Sequence, residues 1–335
     1  MMPLDISQKI ETSIKRLRSF EPPEGYFLAF SGGKDSQCIY HLAKMAGVKF
    51  DAHYNVTSVD PPPLVRFIRE NYPDVSFDIP RDSNGRPITM WNLIAKKTLP
   101  PTRMVRYCCS DLKEANGKHR VTVTGVRWAE SANRKNLHGV VDIRTRSKKL
   151  IEKTLTENDS AALNKKGGLI MNDDNDESRR MVEQCYRTRK TIVNPIIDWE
   201  EEDVWEFLNN VVKVPHCSLY DEGYTRLGCI GCPLQGGKGM REDFEKYPKY
   251  KELYLRAIER MIINHEGKIK LLNEYHESAE DVSYLFTGEA EREREQNSGD
   301  NRNEELAHTR RLQAELIFDW WCTDPKEYQQ NRLSA

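Results

Sequence analysis

Tyr26-Phe27-Leu28-Ala29-Phe30-Ser31-Gly32-Gly33-Lys34-Asp35-Ser36 runs from an apolar stretch through a glycine pair into a polar segment. Tyr26 to Phe30 has the composition of a short buried strand, and Ser36 to Met45 reads as a helix with Gly47 as its C-cap. A glycine joint between a strand and a helix turns backbone N–H groups and the positive end of the helix dipole toward an anion. The two glycines let the backbone approach a phosphate, Lys34 adds a point charge, and Ser31 and Ser36 add hydroxyls. Asp35 follows Lys34 where a Walker A loop needs Ser or Thr, which excludes that motif. The bland alternative is a plain strand-to-helix turn.

Outward from this loop the pattern alternates. Ile6, Ile10, Ile14 and Leu17 recur at helical spacing before the Glu21-Pro22-Pro23 break. Val48 to Val56 reads as a second strand, Pro61-Pro62-Pro63 opens a helix through Glu70, and Val75 to Ile79 and Val121 to Val126 supply further strands. Strands alternating with helices predict an α/β fold with a doubly wound, mostly parallel sheet. From 145 to about 190 the pattern dissolves into charge, which predicts a mobile insertion. Order resumes at Val193-Asn194-Pro195-Ile196, and acidic residues at 200–203 suit the first turn of a helix. From about Glu242 the chain reads as helical and highly charged, with a loop from Gly288 to Asn303. The expected organisation is therefore a domain over 1–240 and a helical C-terminal region over 241–335.

Among 335 residues, 51 basic side chains face 52 acidic ones, so overall charge does not hold this chain to nucleic acid. The N-terminal stretch lacks the apolar core of a signal peptide, and no run of about 18 apolar residues occurs, so a cytoplasmic protein is expected. In a reducing compartment the eight cysteines are read as metal ligands, redox groups or buried hydrophobes. Cys108-Cys109 follows Arg103, Arg106 and Tyr107, and Cys229-Ile230-Gly231-Cys232 follows Gly228. A CxxC loop can clasp one metal centre and a distant pair can complete a four-sulfur site, with zinc and iron–sulfur both open. Cys217 is an alternative fourth ligand. Cys38 and Cys185 read as ordinary thiols, and no histidine pair has metal-ligand spacing. Arg127 and Arg134 in Gly125-Val126-Arg127-Trp128-Ala129-Glu130-Ser131-Ala132-Asn133-Arg134-Lys135 follow a strand, where their forks suit an oxyanion. A solvated helix start is the alternative. Glu130 is open between a base and an arginine-orienting group, and Trp320-Trp321 reads as core or interface.

The Ser31–Ser36 loop, the CC and CxxC cysteines, the Leu219–Gly228 segment, the G-x-R-x-x-E-S segment and Asn194-Pro195-Ile196-Ile197-Asp198-Trp199 together resemble the phosphoadenylyl sulfate (PAPS) reductase family and its PP-loop ATP pyrophosphatase relatives. The resemblance covers about 24–142 and 191–235. It implies an adenine nucleotide, ATP or PAPS, on Ser31, Gly32, Gly33, Lys34, Asp35, Ser36 and Arg134, with Lys34, Asp35, Arg127 and Glu130 as the chemical residues and magnesium as a further cofactor. It also implies a 4Fe–4S cluster on Cys108, Cys109, Cys229 and Cys232, as in adenylyl sulfate reductases and the ATPases of DNA phosphorothioation. Two departures stand out. No E-C-G-x-H segment with a catalytic cysteine occurs, Cys322 lying in a different context, and Val59-Asp60-Pro61-Pro62 replaces an F-P-E-T-type turn. The expected activity is ATP cleavage at the α-phosphate coupled to sulfur transfer, with PAPS or adenylyl sulfate reduction and a non-catalytic nucleotide-binding subunit as alternatives. The implied partners are a sulfur-donor protein, a nucleic-acid acceptor and further subunits, as a homo-oligomer or complex, with no membrane.

Overall fold

The computed structural model describes residues 5–114, 116–117, 119–144, 147–157, 159, 161–165, 167–173, 190–265 and 301–323. Its chain forms two compact units interleaved along the sequence: Met1–Val56, Pro62–Asp78 and Glu114–Leu227 in the first, Thr57–Pro61, Ile79–Lys113 and Gly228–Ala335 in the second. Pattern reading set one boundary near 240. The contacts instead give the second unit two early segments, because Thr57–Pro61 and Ile79–Lys113 pack with the C-terminal helices, and such long-range pairings leave no periodicity to read.

The first unit is an α/β layer fold. Its strands are β1 (Tyr26–Ala29), β2 (Phe50–Asn55), β3 (Ser76–Asp78), β4 (Thr122–Val123), β5 (Val141–Arg144), β6 (Ala161–Leu163), β7 (Leu169–Met171) and β8 (Lys190–Val193), in the spatial order β3-β2-β1-β4-β8-β5-β7-β6. Neighbours from β3 to β8 are parallel, and β5, β7 and β6 extend the sheet antiparallel. Register pairs Tyr26 with Phe50 and Leu28 with both Ala52 and Val123. The helices α1 (Ile6–Ser19), α2 (Lys34–Ala46), α3 (Pro62–Asn71), α5 (Ala132–Leu137) and α6 (Lys148–Glu157) connect or cover these strands, and α7 (Glu201–Glu206) follows β8. Gly47 ends α2 at φ +69°, the left-handed cap predicted for it.

Leu17, Phe20, Tyr26, Leu28, Ile39, Leu42 and Trp199 are fully buried at the centre of this unit. Burial of such side chains contributes roughly 1.5–3 kcal/mol each. Trp199 donates its indole N–H to Ser13 Oγ at 3.1 Å, and Arg16 holds Asp198 with two parallel bonds of 2.8 and 2.9 Å. The Asn194–Trp199 segment thereby ties α1 to the sheet, as scaffold.

Within the expected mobile insertion, the described residues hold α6, β6 and β7. Leu169, Ile170 and Met171 are all buried, and Leu169 and Ile170 pair with both neighbouring strands. Three-residue strands are too short to declare a period against the surrounding charge, which is why the sequence pattern missed them. Residues 174–189 of that expectation lie outside the described residues.

The second unit is helical: α4 (Met90–Lys96), α8 (Gly236–Lys246), α9 (Pro248–Asn264) and α10 (Asn301–Trp321). Its core gathers Ile94, Phe244, Tyr254, Ile258, Met261, Ile317, Phe318 and Trp321, so Trp321 is core. Arg311 of α10 joins Glu252 and Glu259 of α9 at 2.7 and 3.2 Å. The loop expected at 288–303 falls outside the described residues up to 300, and 301–303 begin α10. Among the described residues no helix is long and apolar enough to cross a membrane.

Candidate functional site

The chain leaves β1, winds to β2 and β3 on one side, and returns to β4 on the other side of β1. The carboxyl ends of β1 and β4 therefore flank a topological switch point, the place where open α/β sheets bind ligands. Ser31–Ser36 follows β1 there, and Gly125 follows β4. Two positions require glycine. Gly32 has φ +72°, and a Cβ on it would lie 2.7 Å from side-chain carbons of Ile68 and Leu64. A Cβ on Gly125 would lie 2.8 Å from the Asp35 carbonyl oxygen. Ser31 and Ser36 hydroxyls stand 3.2 Å apart, and Ser36 donates to the Gly33 carbonyl at 2.8 Å.

Lys34 opens α2 and is only 5% exposed. Its ammonium donates to the Thr225 carbonyl at 2.7 Å and pairs with Glu201 at 3.2 Å, while its backbone N–H donates to Tyr220 Oη at 2.9 Å. Arg127, 2% exposed, donates to Asp35 through Nε and to Glu201 through Nη2, both at 2.7 Å. Burial lifts the Asp35 carboxyl above its ordinary value against the pull of Arg127 and Lys34. Burial also pushes Glu201 upward, but Arg127 and Lys34 outweigh it and hold that carboxyl below its ordinary value.

The predicted residues of the loop and the arginine segment thus come together in one unit, but with distinct tasks. Arg127 donates to the carboxylates of Asp35 and Glu201 and to the Trp199 carbonyl. Glu130 accepts the Arg127 backbone N–H at 3.1 Å and pairs with Arg134 at 3.4 Å. The Arg134 side chain is 28% exposed, which leaves it the more accessible guanidinium. Glu201 and Tyr220 were missed as site residues. Glu201 read as a first-turn acid, and nothing in its spacing pointed 167 positions back to Lys34; Tyr220 lay inside the quoted Leu219–Gly228 segment without a role.

The second unit brings Cys108, Cys109, Cys229 and Cys232 to the wall of one cavity of about 30 Å³, together with Thr57, Met90, Leu112, Lys113 and Tyr254. Cys109 opens a π-helical turn, Cys109–Lys113, which helps to turn adjacent cysteines onto one cavity. A hydrogen bond to Cys109, then burial and the neighbouring thiols, raise the Cys108 thiol, and burial raises Cys232. Lys113 lines the same cavity, where attraction to the Cys229 sulfur, against burial, holds its ammonium above its ordinary value. Four cysteines on one mostly apolar cavity wall are the residue type that zinc or an iron–sulfur cluster would take as ligands. Among the described residues no three of these groups already stand as a closed coordination shell, so binding would require the thiols to draw in and release protons. Cys217 is fully buried in the first unit's core and does not line this cavity.

The family model described as "Phosphoadenosine phosphosulfate reductase domain" matches residues 25–235. An uncharacterized protein of Methanocaldococcus jannaschii is 25% identical over 69% of this chain and 47% of its own length. Adenosine 5'-phosphosulfate reductase of Neisseria meningitidis is 42% identical over 14% of this chain and 20% of its own length. The chain thus spans less than half the length of these curated relatives. Among solved structures, Candida glabrata FMN adenylyltransferase in complex with FAD and inorganic pyrophosphate is similar with TM-score 0.40 and 14% identity, over 69% of this chain and 68% of that one.

Proposed function

The chain belongs to the phosphoadenosine phosphosulfate reductase family, and from that premise we propose that it is a PP-loop enzyme that binds ATP on Ser31–Ser36, adenylates an acceptor with release of pyrophosphate, and transfers sulfur. The observation that carries this reading is the loop itself: Gly32, Gly33 and a buried Lys34 open α2 at the switch point, with Asp35 locked beneath them by Arg127. The reaction asks for an acceptor to attack the α-phosphorus while the bond to the bridging oxygen of the β-phosphate breaks. Negative charge then grows on the leaving pyrophosphate. The remaining backbone N–H groups of the loop and the Lys34 ammonium would receive it, with Lys34 exchanging Glu201 and Thr225 for phosphate oxygens. Ser31 and Ser36 add hydroxyl donors, and Arg134, partly exposed and paired with Glu130, is the guanidinium that would turn to a ligand. Asp35 is the loop carboxylate that would hold magnesium with the phosphates.

Cys108, Cys109, Cys229 and Cys232 would hold a 4Fe–4S cluster, with zinc as the rival. A cluster there would supply a redox-active, sulfur-binding centre, whereas zinc would supply a structural clasp. Arg103 and Arg106, both exposed, would offer charge to an anionic acceptor such as nucleic acid. A donor protein would supply the sulfur, and further subunits are part of this reading.

The Neisseria relative is named an adenosine 5'-phosphosulfate reductase, and reduction of PAPS or adenylyl sulfate to sulfite is the second reading. It needs an accessible nucleophilic thiol, and Cys322 is 3% exposed, with burial pushing its thiol up to about 12. That environment favours the adenylating reading. Anaerobically purified protein with bound iron and sulfide that releases pyrophosphate from ATP, and loses that release in Lys34→Ala, is the expected outcome. Sulfite from PAPS would replace the proposal with the reductase reading, and nucleotide binding with neither product would reduce the chain to a binding subunit.

A further inference from the structure

We propose that Tyr220 is a phosphate-contacting residue of the loop, its hydroxyl carrying the hydrogen bond of the Lys34 amide onward to a phosphate oxygen of the bound nucleotide; this rests on the nucleotide reading above. In a strand–loop–helix anion seat, the first backbone N–H groups of the helix are the donors aimed at the ligand. Here the Lys34 N–H is already taken by Tyr220 Oη at 2.9 Å, and the same oxygen lies 3.4 Å from the position of a Cβ on Gly33. The phenol therefore stands inside the mouth of the loop. A hydroxyl both accepts and donates. Tyr220 Oη accepts from Lys34, and among the described residues its own proton has no acceptor, leaving it to a ligand.

The ring is held in place. Trp205 meets it edge-on with centroids 5.1 Å apart, and the Lys34 ammonium lies 5.4 Å from its centroid. Successive turns bind the segment to itself: Tyr220 N–H donates to the Cys217 carbonyl at 3.0 Å, Gly223 N–H to the Tyr220 carbonyl at 3.1 Å, and Tyr224 N–H to the Leu219 carbonyl at 3.1 Å. A second attachment to the loop comes from the Thr225 carbonyl, which accepts the Lys34 ammonium. A group fixed this firmly acts as part of the seat. Burial, with Asp35 and Glu201 nearby, keeps the phenol protonated, so it meets a phosphate as a donor.

The test is calorimetric binding of ATP, inorganic pyrophosphate and adenosine to the full chain and to Tyr220→Phe, which keeps the ring and removes only the hydroxyl. The expected result is a loss of about tenfold in affinity for ATP and pyrophosphate, the scale of one hydrogen bond to a charged group. Adenosine affinity and thermal melting are expected to stay at the wild-type value, which separates loss of a phosphate contact from loss of the fold. Unchanged ATP affinity in the variant would overturn the contact. Tighter binding would overturn it in the opposite sense, marking Tyr220 as a competitor for the Lys34 amide. Wild-type protein that binds neither ATP nor pyrophosphate would overturn the nucleotide reading itself.

Discussion

Glu201 sits between two cations, Lys34 at 3.2 Å and Arg127 at 2.7 Å, and so joins the loop to the arginine that supports it. Because its carboxyl is held below the ordinary 4.5, the unfolded chain takes up this proton at higher pH than the folded one. The stability Glu201 contributes is therefore complete above that ordinary value and is lost as pH falls through the folded-state value. Asp35 has the opposite sign: its carboxyl is raised above 3.8, so the folded state binds that proton more tightly and loses stability as pH rises through the same region. Replacing Glu201 by Gln removes the first contribution and leaves the second. Urea midpoints measured between about pH 3.5 and 6 should fall with acid less steeply in Glu201→Gln than in the wild type. Parallel acid limbs would mean that Glu201 is not coupled to the two cations in solution.

The CxxC turn is held from outside at two of the three peptides between its cysteines, and the third closes the turn, Cys232 N–H donating to the Cys229 carbonyl at 3.2 Å. Ile230 N–H donates to the Val59 carbonyl at 2.8 Å, and Tyr254 donates to the Ile230 carbonyl at 3.0 Å. Gly231 N–H and Gln235 Nε2 both donate to the buried Asp243 at 2.9 Å. Gly231 has φ +69°, and a Cβ on it would lie 2.4 Å from the Phe244 ring. Gly231→Ala combines a left-handed backbone with a ring clash, and should cost about 2–4 kcal/mol in urea unfolding. It should also lower metal content, while a variant that retains both would show that the turn is not constrained by Phe244. This element also marks where sequence reading ends. The glycine loop, the strands around it and the two cysteine pairs were legible because each announces itself within a few residues. Asp243, Tyr254 and Val59 were not, since each meets the turn through tertiary packing that no local period encodes. The three-residue strands β6 and β7 were hidden by their brevity, and the Asp35 and Glu201 partners of Arg127 were not legible because a guanidinium's partners are chosen by the fold.

At the scale of the whole chain, the candidate nucleotide residues lie in the first unit and the cysteine pairs in the second. The second unit draws Thr57–Pro61, Ile79–Lys113 and Gly228–Ala335 together across the sequence. Segments joined by such long-range contacts open together when their common attachment is lost. A metal held by Cys108 and Cys109 on one segment and Cys229 and Cys232 on another would be such an attachment, and its removal would leave the segments to packing and hydrogen bonds such as Ile230 N–H to the Val59 carbonyl. Ligand binding to the native state stabilises the part of the structure that makes the site. Hydrogen exchange followed by mass spectrometry should therefore separate two responses. Chelation under anaerobic conditions should speed exchange in 79–113 and 228–264, and ATP should slow it in 30–46, 125–130 and 217–227. Acceleration by chelator spread evenly over both units would mean that the cysteines do not form a local metal attachment. Protection by ATP confined to the second unit would move the nucleotide site away from the Ser31–Ser36 loop.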